Sequence, residues 1–199
     1  MTESKTPVVV ASSRAVRWVA ATAAAWGLWY AIYRGYYALG GTAWLPGTIS
    51  DPITFRLINA VAAAALLLAA VLPVATLHLW KRRMPRRLLL AACWVIAVGC
   101  VMHAIIDIVQ QCLSLAGLLK VHENAAVLVL DPRAAALQDI FFNEPWFLVE
   151  GILFAVLASI HLRGRARLLW LTSAGAAVAV LVVFGLLVAS GVLGRAIIG

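Results

Sequence analysis

Between Leu88 and Leu119 the chain reads LLLAACWVIAVGCVMHAIIDIVQQCLSLAGLL. A run this long and apolar crosses a bilayer as a helix, since about 20 apolar residues span the hydrocarbon core. Yet His103, Asp107, Gln110 and Gln111 lie well inside it. Their spacings from His103 of +4, +7 and +8 put all four on one helical face, which Cys100 and Ser114 extend. Inserting an aspartate near a helix centre costs about 2.5–3.5 kcal/mol. This face therefore turns toward other helices or water, and the rest of the chain is read as what surrounds it.

The composition agrees: 64% of the residues are hydrophobic and 12% charged, against about a quarter charged in soluble domains. Apolar runs recur at about 15–39, 52–80, 88–119, 142–162 and 168–193, and the gaps are too short for a separate globular domain. The expected fold is all-α: a single polytopic membrane helix bundle of five transmembrane helices, with the lipid bilayer as its first partner. The first helix follows a polar stretch without a cleavable pattern and is expected to remain as an anchor. Asp51-Pro52 starts the second helix as N-cap and first helical residue, and Pro73 should bend it. Asp131-Pro132 likewise opens a short amphipathic helix near 132–142, expected on the extracytoplasmic surface.

Basic residues fix the expected orientation. Lys81, Arg82, Arg83, Arg86 and Arg87 are five within seven positions and mark a cytoplasmic loop, as do Arg163, Arg165 and Arg167. With Lys5, Arg14 and Arg17 they place eleven Lys and Arg inside, against five outside (Arg34, Arg56, Lys120, Arg133 and Arg195). The N-terminus is expected in the cytoplasm and the C-terminus outside. The net charge of +8 is thereby explained by topology, and no nucleic-acid partner is expected. Arg outnumbers Lys thirteen to three, a bias like that of GC-rich bacterial genomes, so the expected location is a bacterial plasma membrane.

Helix rise brings several polar groups to one depth. Arg34 in the first helix, Asp107, Gln110 and Gln111 in the third and Glu150 in the fourth fall in the outer half of the bundle, with His103 one turn deeper. Tyr30, Tyr33 and Tyr37 with Trp26 make an aromatic seam beside Arg34. Arg56, Asn59, Asn143 and Glu144 form a mouth, next to Trp146. A structural ion pair of Arg34 with Asp107 or Glu150 is the plainer alternative, but one Arg cannot neutralise two carboxylates. Asp107, Glu150 and His103 are thus the candidate catalytic groups. Arg34, Tyr30, Tyr33, Tyr37, Gln110, Gln111, Asn143, Glu144 and Trp146 are the candidate substrate-binding set.

Cofactors are not expected. His78 and His161 could in principle form a bis-His haem site, but interfacial histidines of this kind are usually solvated. His103, Asp107 and Glu150 match a metal pattern without the second His, so no metal is expected. Cys93, Cys100 and Cys112 include no C-x-x-C pair, against a thiol–disulfide oxidoreductase. Lys5, Lys81 and Lys120 all lie outside the apolar runs, which excludes a retinal Schiff base. The reading reached is a membrane-embedded acid/base enzyme (isomerase, cyclase or hydrolase) acting on an apolar small molecule. The alternatives are a proton- or cation-coupled small-solute transporter and a non-catalytic assembly subunit.

At Tyr37-Ala38-Leu39-Gly40-Gly41-Thr42, and again from Leu137-Gln138-Asp139 through Phe142-Asn143-Glu144-Pro145-Trp146-Phe147, the chain resembles a family of small actinobacterial membrane proteins known only as a domain of unknown function. The resemblance covers most of the chain in the same order. It implies a multi-helix bacterial membrane protein and supplies no catalytic residues.

Overall fold

The computed structural model describes residues 13–79, 83–119 and 127–190. Lys5, Trp80, Lys81, Arg82, Lys120, residues 191–193 and Arg195, all used in the sequence reading, lie outside these. The described elements are α1 (Ser13–Ala38), β1 (Gly47–Ile49), α2 (Pro52–Leu79), α3 (Arg83–Leu115), β2 (Val127–Val129), α4 (Pro132–Gln138), a π-helical turn (Asp139–Asn143), α5 (Glu144–His161) and α6 (Gly164–Ala189).

Local chemistry sets most of the boundaries. α1 stops where Gly40 takes a positive φ of 95°, and a Cβ there would come within 2.6 Å of Arg56 Nη2. Asp51 accepts from the Ile53 and Thr54 amides at 3.1 and 3.2 Å, which caps α2 as expected. α3 begins five residues earlier than its apolar run, because Pro85 sits in the first turn, where a missing N–H costs nothing. It ends at Leu115, ahead of Gly117 with φ 71°.

Two features depart from the expected bundle. β1 and β2 pair antiparallel, Gly47 with Val129 and Ile49 with Val127, so the loops at one end of the molecule are stapled by a small ribbon. A Cβ on Gly47 would run into the Leu128 carbonyl. The short helix near 132–142 forms and is capped by Asp131, which accepts from the Arg133 and Ala134 amides at 3.0 Å. It does not lie apart from the next helix, however, since Gln138, Asp139 and Asn143 keep right-handed helical backbones and carry α4 through the π turn into α5. The π turn has an identifiable cause. Pro145 has no N–H for the Phe141 carbonyl and its ring would crowd that carbonyl, so the helix widens and Glu144 N–H bonds to Asp139 instead, five residues back.

Four stretches are long and apolar enough to cross a membrane: Pro52–His78, Arg86–Leu115, Pro132–His161 and Gly164–Ala189. α1 is as long as α6, at 26 residues each, but its Trp and Tyr residues and Arg34 keep it out of that group. α1 packs mainly along α2, and α3 packs on α5 and α6. The central core joins Ala20, Cys93, Ala97, Phe154, Leu157 and Ala158. Gly151 lets α5 approach α3 closely, because a Cβ there would lie 3.0 Å from the Ala97 carbonyl. α6 buries none of its residues among the described ones, the exterior expected of a helix solvated by lipid.

Candidate functional site

Near the ribbon end, α1 and α2 form one wall of a cavity of about 330 Å³, and α3, the π turn and α5 form the other. Leu45, Pro46 and Val129, beside or within the ribbon, line its rim. The two walls carry unlike chemistry.

On the α1–α2 wall, Arg34 donates from Nη1 to Asn59 Oδ1 and from Nη2 to the Tyr30 hydroxyl, each at 3.1 Å. Asn59 is held by donating to the Phe55 carbonyl at 2.8 Å. The guanidinium also lies 5.3 Å from the Tyr30 ring centroid. Tyr33 and Tyr37 join hydroxyl to hydroxyl at 3.0 Å, and Tyr37 donates onward to the Ala43 carbonyl at 2.9 Å. Arg34 makes no ion pair with a carboxylate among the described residues, so the structural pairing with Asp107 or Glu150 is not what is found.

On the facing wall, His103 Nε2 lies 3.4 Å from Asp107 Oδ2, one turn along α3, and 3.8 Å from Glu144 Oε2. Phe147 meets the imidazole edge-on at 4.5 Å between centroids. Asp139 accepts from Asn143 Nδ2 at 2.6 Å and from Gln111 Nε2 at 3.1 Å. Glu144 is only 4% exposed, and its Oε2 accepts no hydrogen bond among the described residues. A buried carboxylate oxygen that accepts no hydrogen bond is costly, and the His103 imidazole 3.8 Å away compensates it only when protonated.

The structure separates the residues grouped from the sequence. His103, Asp107, Arg34, Tyr33, Tyr37 and Asn143 line the cavity, and Glu144 moves from the mouth to its inner acidic wall. Tyr30 supports Arg34 from behind. Trp146 clamps α5 to α1, with its ring 4.0 Å from that of Trp26 and 5.3 Å from that of Tyr30, and its carbonyl accepts from Trp26 Nε1. Gln110 lies elsewhere, in a second, apolar cavity between α3 and α6. Glu150 is also elsewhere. It is 3% exposed, neither oxygen is hydrogen-bonded among the described residues, and a Cβ on Gly27 would lie 3.0 Å from its Oε1. Six positions along an α-helix from Glu144 carry it to another face. Asp139 was missed as part of the site. Its signal was Pro145, which forces the π turn that brings Asp139 and Glu144 together.

A family model described as "Protein of unknown function (DUF3995)" matches residues 27–154. The match takes in Arg34, His103, Asp107, Asp139 and Glu144 and leaves α6 outside. No curated protein and no solved structure matches the chain.

Proposed function

Because the chain belongs to the DUF3995 family, whose description assigns no activity, we propose its function from the site: a membrane-embedded acid/base enzyme acting on a small lipid-soluble molecule with a polar head. The observation that carries this reading is the facing of two unlike walls across one cavity. Arg34, which keeps N–H groups beyond those given to Asn59 and Tyr30, is placed to hold an anionic or acceptor group, while His103, Asp107, Asp139 and Glu144 oppose it with proton acceptors and donors. Leu45, Phe55, Ile58 and Val129 supply apolar surface for the rest of the molecule. Isomerisation, cyclisation and hydrolysis are the reaction classes that need no more than these groups.

In this reading α1 is a fifth span, and the ribbon end of the cavity faces outward from a bacterial plasma membrane. Its test is the set of small molecules that stay with the full chain when it is isolated in lipid nanodiscs. Mass spectrometry should find an amphiphile retained by the unaltered chain and lost from Arg34→Gln. Supplied back, that molecule should be converted, and Asp107→Asn should slow the conversion about 10²–10⁴-fold. The same retained set from both proteins would overturn the reading.

A transport reading draws on Glu150, a buried carboxyl beside Gly27 that takes no part in the cavity. Gradient-driven uptake of a solute, abolished by Glu150→Gln, would favour it over the enzyme.

A further inference from the structure

We infer that His103, Asp107 and Glu144 form a divalent-metal site, with zinc as the ion that best fits the donor set. The inference rests on the cavity being the working site, and adds the group that fills its acidic wall. One ligand atom from each of the three residues lies within 4.8 Å of the others, with His103 Nε2 at 3.4 Å from Asp107 Oδ2 and 3.8 Å from Glu144 Oε2. An ion with bonds of about 2.0–2.2 Å to nitrogen and oxygen sets tetrahedral ligand atoms roughly 3.4 Å apart. His103 Nε2 is thus near the spacing a zinc ion imposes from each oxygen, and the two carboxylates, whose oxygens lie within 4.8 Å of each other, would draw together around the ion.

Glu144 supplies the second, independent sign of a ligand. Its side chain is almost wholly buried, it lines the cavity, and Oε2 accepts no hydrogen bond among the described residues. A cation satisfies that oxygen and compensates the carboxylates that Arg34 leaves unpaired. One imidazole with two carboxylates suits zinc or manganese better than calcium or magnesium, which favour oxygen alone. His103 and Asp107 are half-exposed toward the cavity, so a fourth coordination position would face the substrate, as in catalytic rather than structural sites. Asp139, held by Gln111 and Asn143, remains the carboxylate of the cavity outside this set. The sequence reading expected no metal because His103, Asp107 and Glu150 lacked a second His, and it set Glu150 where the structure sets Glu144. The helix widening at 139–143 brings Glu144 there instead.

The test is calorimetric titration of the full chain in nanodiscs, stripped with chelator, using zinc chloride alone. One zinc ion per chain is expected, with affinity lowered at least tenfold in His103→Asn, Asp107→Asn and Glu144→Gln and unchanged in Glu150→Gln. A measurement on the unaltered chain guards against misfolded variants: zinc should protect His103, and not the exposed His78, from diethylpyrocarbonate, read by peptide mass spectrometry. Zinc binding that survives all three substitutions, or His103 labelling that zinc does not slow, would overturn the site. Loss of zinc binding with the amphiphile still retained removes the metal alone. Retained zinc with no amphiphile removes the substrate reading alone.

Discussion

Asp51 shows how one side chain fixes an element and how pH reads it out. The Thr54 side chain and the backbone N–H groups of Thr54 and Ile53 hydrogen-bond to its carboxylate and hold it below the ordinary value of 3.8. A carboxyl with a lowered folded value stabilises the fold when ionised. Its contribution to α2 is therefore complete above the ordinary value and disappears as the pH falls through the lower one. Protection of the Ile53 and Thr54 amides, measured against the intrinsic exchange rate at each pH, should be high at pH 6 and fall as acid protonates the cap. In Asp51→Ala it should be low at both. Unchanged protection in that variant would show that the ribbon, and not the cap, holds the start of α2.

At the scale of an element, the π turn matters most to the site. It exists because Pro145 cannot bond to the Phe141 carbonyl, and it sets the rotation at which Glu144 enters α5. Pro145→Ala restores the N–H and lets an ordinary α-helical turn close. That would swing Glu144 away from His103 while leaving every other residue of the cluster in place. The expected result is a helix content within error of the unaltered chain and a zinc affinity at least tenfold lower. Calorimetry with circular dichroism on the same sample checks both. An unchanged affinity would mean that the packing of Trp146 on Trp26 and Tyr30, rather than the proline, sets the register.

For the whole molecule, the two ends differ in chemistry. Trp170 donates to the Leu90 carbonyl at 3.4 Å, which brings the basic start of α6 beside the basic start of α3, opposite the ribbon. Arg86, Arg163, Arg165 and Arg167 therefore collect at one end, and the cavity rim lies at the other. If the basic end is cytoplasmic, a cysteine placed at Arg165 should resist a membrane-impermeant thiol reagent in intact cells, and one placed at Ala43 should react. Both would be introduced into a chain lacking Cys112, the exposed native thiol. Labelling at Arg165 would invert the orientation and place the cavity on the cytoplasmic side.

Apolar run length, N-caps and prolines are local properties, and they determined by themselves that the chain is a bundle of long membrane-type helices and that helices start at Pro52 and Pro132, but not that the second of these runs on into α5. The shared face of His103 and Asp107 was equally legible, because one helix and its 3.6-residue period bring them together. Which residues from other helices face them was not. Depth along a helix axis is readable from the sequence, but rotation about that axis is set by packing, and a single widened turn changes it. For that reason Glu150, at a plausible depth, points elsewhere, while Glu144 and Asp139 complete the acidic wall. Gln110 and Gln111, adjacent in the chain, part by one residue's turn of α3: Gln111 holds Asp139, while Gln110 lines the apolar cavity against α6. The pairing of β1 with β2 joins segments some 80 residues apart that carry no mutual signal in their order, so only the tertiary structure could bring them into register.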